Sequence, residues 1–206
     1  QYDGSGFRGW QAQQPGTRTV QTVLEQALAK VANHPVRLVC AGRTDAGVHG
    51  VGQVAHFDTT AVRSARAWVL GGNAHLPLDI SLNWAQEAPK DFHARFSALA
   101  RRYRYVILNR PQRSALWRER ATWHYRLLDA ERMQKAGQAL VGEHDFSSFR
   151  AAECQARHPI RDIHELTIRR HGDSVVLDVE ANAFLHHMVR NIAGVLMAIG
   201  AGDRPV

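Results

Sequence analysis

One short segment places a carboxylate and a guanidinium among three glycines, between two runs that read as strands. This Asp45 loop is Ala41-Gly42-Arg43-Thr44-Asp45-Ala46-Gly47-Val48-His49-Gly50. Glycines let a substrate come close to the backbone, so Asp45 is accessible enough to act as a nucleophile or base. The loop is not a phosphate loop, because no Gly-Lys-Ser/Thr opens a helix after it. Taken alone, an aspartate in such a turn more often stabilises the turn itself.

Several further segments share with this loop a resemblance to one family. The run from Gly42 to His49 resembles the signature of the A-type tRNA pseudouridine synthases, and a contiguous match makes chance likeness improbable. Other segments resemble that family in its own order along almost the whole chain: Tyr2-Asp3-Gly4 with Gly9-Trp10-Gln11, Phe92-His93-Ala94-Arg95-Phe96-Ser97-Ala98 with Arg102-Tyr103-Arg104-Tyr105, Gly142-Glu143-His144-Asp145-Phe146, and Phe184-Leu185-His186-His187-Met188-Val189-Arg190-Asn191.

The resemblance implies an isomerase that converts uridine to its C5-glycoside, pseudouridine, at positions 38, 39 and 40 in the anticodon stem-loop of tRNA. In this reaction the N1–C1′ bond breaks, the base turns, and a C5–C1′ bond forms. Because no electrons are transferred, no cofactor is expected. Family members act as homodimers that share one tRNA, so the expected partners are tRNA and a second copy of the chain.

The resemblance also assigns roles to four residues. Asp45 is the nucleophile, and an aspartate is already ionised at neutral pH, whether it attacks C6 of the base or C1′ of the ribose. Arg43 is assigned to base flipping. Tyr103 matches a tyrosine that packs against the target base, although alone it reads as a core aromatic that shares a strand face with Tyr105. Arg190 matches a basic residue that pairs with the nucleophile, although alone it reads as a solvated helix charge.

RNA contact is predicted where basic and aromatic residues interleave, because phosphate neutralisation and base stacking contribute separately to binding. Residues 92–96 and 101–105 fit this pattern. Residues 154–159 resemble an RNA-binding loop of the family, and Arg63 is a weaker candidate. The alternative for each is ordinary surface. The predicted RNA-binding residues are Arg63, Phe92, His93, Arg95, Phe96, Gln155 and Arg157.

Composition bounds the class of protein. The 206 residues include 26 Lys and Arg against 19 Asp and Glu, a net charge of +7 that favours a polyanion partner. No run of about eighteen apolar residues and no signal peptide occurs, so a cytoplasmic protein without a membrane segment is expected. The two cysteines form no disulfide framework or metal motif. The twelve histidines are scattered, and His186 and His187 point apart if helical, so no metal site is predicted.

Hydrophobic periodicity predicts the elements that position these residues. The first half contains a helix from Val20 to Val31 capped by Thr19, strands over 36–41 and 53–58, a helix over 64–70, and a strand over 80–84. The second half contains a strand over 103–108 and a helix capped by Asp129 whose stripe extends to Val141. Two strands over 163–169 and 175–179 follow, joined by a hairpin across 171–173, and then a helix over 189–199 that stops at glycines.

The element orders α-β-β-α-β and β-α-β-β-α are each one strand short of a split β-α-β arrangement. The predicted fold is therefore α+β, with two ferredoxin-like halves whose antiparallel sheets adjoin around a central active-site cleft. Residues 1–98 form the half that carries the Asp45 loop, and residues 99–206 form the other. The absent strands predict a chain trimmed at both ends. The family's last strand, with an apolar residue that lines the uridine pocket, is expected to be missing.

Two other functions stay open from the sequence. A non-catalytic RNA-binding protein of ferredoxin-like fold would bind RNA by aromatic stacking alone, but its usual motif, Lys/Arg-Gly-Phe/Tyr-Gly/Ala-Phe, does not occur. A hydrolase or phosphotransferase that uses Asp45 with a metal is disfavoured, because no second acid lies close by in the sequence.

Overall fold

A computed structural model describes residues 1–154 and 156–206. The chain divides into two compact units, Gln1–Ala98 and Leu99–Val206, and each has its own hydrophobic core. Both units combine helices with strands, so the α+β class is confirmed. Within the described residues, none of the helices has both the length and the apolar character needed to cross a bilayer.

Two helices that pack against each other support the first unit. The first, α1, is Val20–Ala32, and it begins after Thr19, whose side chain caps it as predicted. The second, α2, is Ala65–His75. Gly71 of α2 lies against α1, since a Cβ added there would be only 3.0 Å from Cγ2 of Val31. The helices can therefore approach closely at this point.

The strands of the first unit are shorter than the sequence predicts. β1 is Val39–Cys40 and β2 is Ala55–His56, and the two pair antiparallel. The Ala41 amide still donates to the Val54 carbonyl at 2.8 Å, and beyond it the chain forms the rest of the Asp45 loop. The core beside these strands includes Tyr2, Phe7, Trp10, Leu24, Leu28, Leu38 and Ile80.

The predicted strand over 80–84 is wrong. Ile80 makes an isolated bridge to Tyr2, and the pairing with the start of the chain ends at Ser81, whose N–H donates to the Gln1 carbonyl at 2.9 Å. Further along, the side chain of Asn73 on α2 takes up both backbone groups of Leu82: its amide donates to the carbonyl at 2.9 Å, and its oxygen accepts from the N–H at 2.8 Å. Both backbone groups of Leu82 are therefore hydrogen-bonded without a partner strand.

A five-stranded sheet forms the second unit. Its strands are β3, Arg101–Asn109; β4, Thr122–His124; β5, Gly142–Asp145; β6, Ile160–His171; and β7, Ser174–Ala181. The spatial order is β4-β3-β7-β6-β5, in which β4 is parallel to β3 and the other neighbours are antiparallel. The predicted hairpin between β6 and β7 is confirmed, as is the β3-β7-β6 order of a split β-α-β arrangement. The edge strands β4 and β5 were not predicted.

Two helices of the second unit contribute to one core with the sheet. The helix α3, Ala130–Gln138, is capped by Asp129 as predicted, but it ends before the predicted stripe does. Leu140 and Val141 instead lie in turns that lead to β5. The last helix, α4, is Met188–Gly200. The largest buried side chains are Ile107, Leu128, Met133, Phe146, Ile163, Leu166, Leu177, Met188, Ile192 and Leu196.

Candidate active site

The residue before Asp45 is tied to the buried core of the first unit. The carbonyl of Thr44 accepts a hydrogen bond from the Trp10 amide at 2.9 Å, and its hydroxyl shares a hydrogen bond with the Tyr2 hydroxyl at 2.8 Å. Trp10 is 2% exposed and Tyr2 is 5% exposed. Because both partners are fixed in the core, they set the position from which Asp45 projects.

A tight turn follows Asp45. The Val48 amide donates to the Asp45 carbonyl at 3.2 Å, and Gly47, the third residue of this turn, has a φ of 80°. A positive φ at that position is typical of a type II turn and favours glycine. The Gly47 amide also donates to the carbonyl of Phe7 at 3.3 Å, so this side of the loop is anchored as well.

The start of the loop is held by a side chain that the sequence analysis did not identify. The Gln53 amide donates to the Gly42 carbonyl at 2.5 Å, and its oxygen accepts from the Gly42 N–H at 3.4 Å. A single glutamine just before a strand carries no recognisable pattern. Only the folded chain brings Gln53 opposite Gly42 and shows this role.

The two side chains predicted to be catalytic differ in exposure. Asp45 is half-buried and Arg43 is exposed. In the part of the chain that the structure describes, Arg43 makes no hydrogen bond or ion pair. Burial raises the pKa of the Cys40 thiol to about 11, and the positive charges of Arg43 and Arg95 oppose that rise. These two guanidiniums therefore bring positive potential to the same end of β1.

Aromatic rings of the predicted RNA-binding segment 92–96 form a cluster beside β2. The His93 and Phe96 rings stack with centroids 4.2 Å apart, and His56 contacts His93 at 4.9 Å and Phe92 at 5.9 Å. The Arg95 guanidinium lies 5.8 Å from the Phe96 centroid. Phe96 is 77% exposed, so an aromatic face with a nearby cation is available to a base.

In β3, Arg102 and Arg104 lie on the face opposite to Tyr103 and Tyr105. Tyr103 and Tyr105 share one face of the strand as predicted, and Tyr103 packs edge-on against Phe184 with centroids 5.0 Å apart. The arginines that alternate with them point to the opposite face. There Arg104 makes a bidentate pair with Asp178 at 2.8 and 3.0 Å. The two sets lie on opposite faces because successive strand residues alternate in direction, and RNA contact by residues 101–105 stays a prediction.

Arg190 is exposed and lies in the first turn of α4. A cation at this end of a helix meets the positive end of the helix dipole, which is unfavourable unless an anion is bound there. The side chains of His186 and His187 do not point apart, as they would on a helix. Both precede the helix, and their rings lie side by side with centroids 3.9 Å apart.

The chain before α4 is tied to residues 149–154. The His186 amide donates to Sγ of Cys154 at 3.4 Å, and the Ala151 amide donates to the His186 carbonyl at 3.1 Å. The pKa of the Cys154 thiol lies below its usual value: burial acts to raise it, but the His186 and Ala156 amides and Arg150 outweigh that effect. Arg157, three residues on, is exposed.

Two more predicted RNA-binding residues remain. Arg63 is exposed just before α2, where its guanidinium donates to the Val62 carbonyl at 2.9 Å. Gln155 lies outside the described residues.

Comparison with known proteins assigns the family. A family model described as tRNA pseudouridine synthase matches residues 1–97 and 136–206. The chain belongs to the tRNA pseudouridine synthase family. Relatives named tRNA pseudouridine synthase A agree with this assignment. The protein from Pseudomonas aeruginosa is 59% identical over 100% of this chain and 72% of its own length. That from Methylococcus capsulatus is 60% identical over 99% of this chain and 75% of its own.

Proposed function

We propose that this pseudouridine synthase isomerises uridine to pseudouridine in the anticodon stem-loop of tRNA, at positions 38, 39 and 40. Asp45 is the nucleophile in this proposal. The observation that carries it is the Asp45 loop itself, in which a half-buried carboxylate follows a residue bound to the core by two hydrogen bonds. Such fixing favours catalysis because the reacting group needs no further ordering when substrate binds.

The reaction requires two things of the protein, a nucleophile and a closely fitted site. Attack by the Asp45 carboxylate, at C6 of the base or at C1′ of the ribose, allows the N1–C1′ bond to break. The base then turns and C5 bonds to C1′. The bond from Asp45 to C1′ or C6 breaks and restores the carboxylate, while the proton on C5 leaves and N1 gains one. Reactant and product are isomers, so the balance needs no oxidant, reductant or group donor.

Reaching the uridine requires that it leave the base stack, at a cost of a few kcal/mol. Arg43 supports this step in the proposal, since its exposed guanidinium has no ion pair among the described residues and can occupy the space that the base vacates. Tyr103 is proposed to pack against the flipped base, and Arg190 to pair with the carboxylate. A homodimer that shares one tRNA stays a prediction, which sedimentation with and without tRNA can check.

Tritium release provides the test of the target positions. A tRNA transcript with ³H at C5 of uridine loses the label to water when C5 bonds to C1′. Transcripts with a single uridine among positions 38, 39 and 40 should each release tritium, and a transcript with cytidine at all three positions should release none. Release from that last transcript would contradict the positions, and no release from any of them would favour a non-catalytic RNA-binding protein.

Phe96 provides a test of the aromatic cluster. Replacing Phe96 with alanine should weaken tRNA binding by about tenfold, since the stacking of one base on an aromatic ring contributes roughly 1–3 kcal/mol. Its ring is largely exposed, so the stability of the first unit should change little. A filter-binding titration measures the effect. Leu78→Ala is a matched control, because Leu78 is fully exposed in the same unit and has no predicted role. Equal affinities of the two variants would remove Phe96 from the RNA interface.

A further inference from the structure

Residues 110–126, which cross from the end of β3 to β4 and run on past it, expose an unusual set of side chains. We call them the arginine–aromatic segment. They lie outside both stretches matched by the family model. Trp117 is 47% exposed, Trp123 is 44% exposed and Tyr125 is 61% exposed. Large aromatic rings exposed together mark an interaction surface rather than ordinary solvated surface.

Local bonds hold these rings in place. Trp123 and Tyr125 are two residues apart along an edge strand and its extension, so they share a face, and their centroids are 6.2 Å apart. The indole N–H of Trp123 donates to the Arg110 carbonyl at 2.9 Å. The Trp117 carbonyl accepts from the amides of Arg120 and Ala121, both at 3.0 Å. The rings of Trp123 and Tyr125 are therefore presented on one face of the edge strand, and Trp117 lies at the start of a hydrogen-bonded turn.

The net charge of the segment indicates which kind of partner it binds. It holds five arginines and one glutamate, a net charge of +4 out of the chain's +7. Asp173 and Asp203 lie against Arg110 and Arg126, at 3.5 and 2.6 Å, and the segment remains positive after both are counted. Arg113 is exposed and makes no ion pair with any residue that the structure describes. Arg118 lies 3.4 Å from Glu119, and this pair is exposed to solvent. Arginines beside exposed rings match RNA, whose phosphates and unpaired bases offer the two complementary groups.

We propose that the arginine–aromatic segment is a further tRNA-binding surface of this enzyme. Unpaired bases stack on Trp123 and Tyr125, and phosphates bind Arg113 and Arg118. This inference rests on the proposed function for the identity of the RNA. It adds a binding surface that contributes to affinity and takes no part in the chemistry at Asp45.

Tyr125 provides the sharpest test. Tyr125→Ala should raise the Kd for tRNA and the KM for tritium release by about tenfold, as expected for the loss of one stacked base. The kcat at saturating tRNA should not change. Tyr125→Phe keeps the ring and should bind within about twofold of wild type. Circular dichroism should show the same fold for both variants, because the ring is mostly exposed.

The dependence of tRNA binding on salt concentration tests the roles of Arg113 and Arg118. The double variant Arg113→Gln, Arg118→Gln should lower the slope of log Kd against log salt concentration by about 1.4, since each contact to single-stranded RNA contributes about 0.7. Lys135→Gln, an exposed cation on α3, is the matched control and should leave the slope near wild type.

The outcomes separate this inference from the proposed function. Wild-type release with unchanged tRNA binding by the Tyr125→Ala and double-arginine variants would overturn the inference alone. Absence of wild-type release would overturn the proposed function, while the binding measurements would still decide the inference. A changed sedimentation coefficient of the free Tyr125→Ala variant, with unchanged tRNA affinity, would assign the segment to a protein partner and overturn the RNA assignment.

Discussion

Replacing Asp45 with asparagine is expected to lower the rate of tritium release from tRNA by at least about a thousandfold, or about 4 kcal/mol of activation free energy. The amide has nearly the same shape as the carboxylate but lacks the charge that the proposed nucleophile needs. The hydrogen bonds that anchor the loop to Trp10 and Tyr2 come from Thr44, so the loop should keep its position. Single-turnover assays with excess enzyme measure the chemical step directly.

Binding should survive this change. Asparagine removes a negative charge from a site that receives a polyanion, so the Kd for tRNA should stay equal or fall. Asp58→Asn is the matched control, since Asp58 is an exposed carboxylate in the same unit, and its rate should match wild type. Release by Asp45→Asn at the rate of this control would remove Asp45 from the mechanism.

Replacing Gly4 with alanine is expected to lower kcat/KM by about a hundredfold, although Gly4 has no chemical role. A Cβ at this position would lie 2.1 Å from the carbonyl oxygen of Val48 and 2.5 Å from its carbon. Both are backbone atoms of the Asp45 loop, so the loop has to move as a whole. A displacement of about 1 Å in a reacting group can cost roughly a hundredfold in rate. Overpacking should also lower the free energy of unfolding by about 1–3 kcal/mol.

The control for this variant is Gly52→Ala. Apart from its chain neighbours, nothing lies within 4 Å of a Cβ on Gly52, so this alanine tests the substitution without the steric clash. Urea titration gives the free energy of unfolding, and tritium release gives kcat/KM. If Gly4→Ala behaved as Gly52→Ala does, the position of the loop would not depend on the contact between Gly4 and Val48.

The elements that the sequence predicted correctly are those whose side chains alternate between core and solvent at a regular period. The stripe of α1 and the alternation along β6 and β7 come from one face buried in a core, and burial of such a face is what a hydrophobic pattern records. The sequence did not predict the edge strands β4 and β5, because neither strand has a face buried in the core. Most of their side chains are half-buried or exposed, so backbone pairing with one neighbour defines them, and no apolar pattern marks it.

The candidate site also has features that the sequence predicts and features that it does not. The sequence by itself determined the Asp45 loop, because its run of residue types is specific enough to identify the family that the comparisons then showed. Only the tertiary structure decided what holds that loop. Tyr2 and Trp10 are distant from Asp45 along the chain, and their hydrogen bonds to Thr44 exist only once the core of the first unit has packed. Gln53 lies nearer in sequence, but it meets Gly42 only when the two short strands have paired. Such hydrogen bonds depend on where residues lie in the folded protein, and a pattern of residue types along the sequence does not record that position.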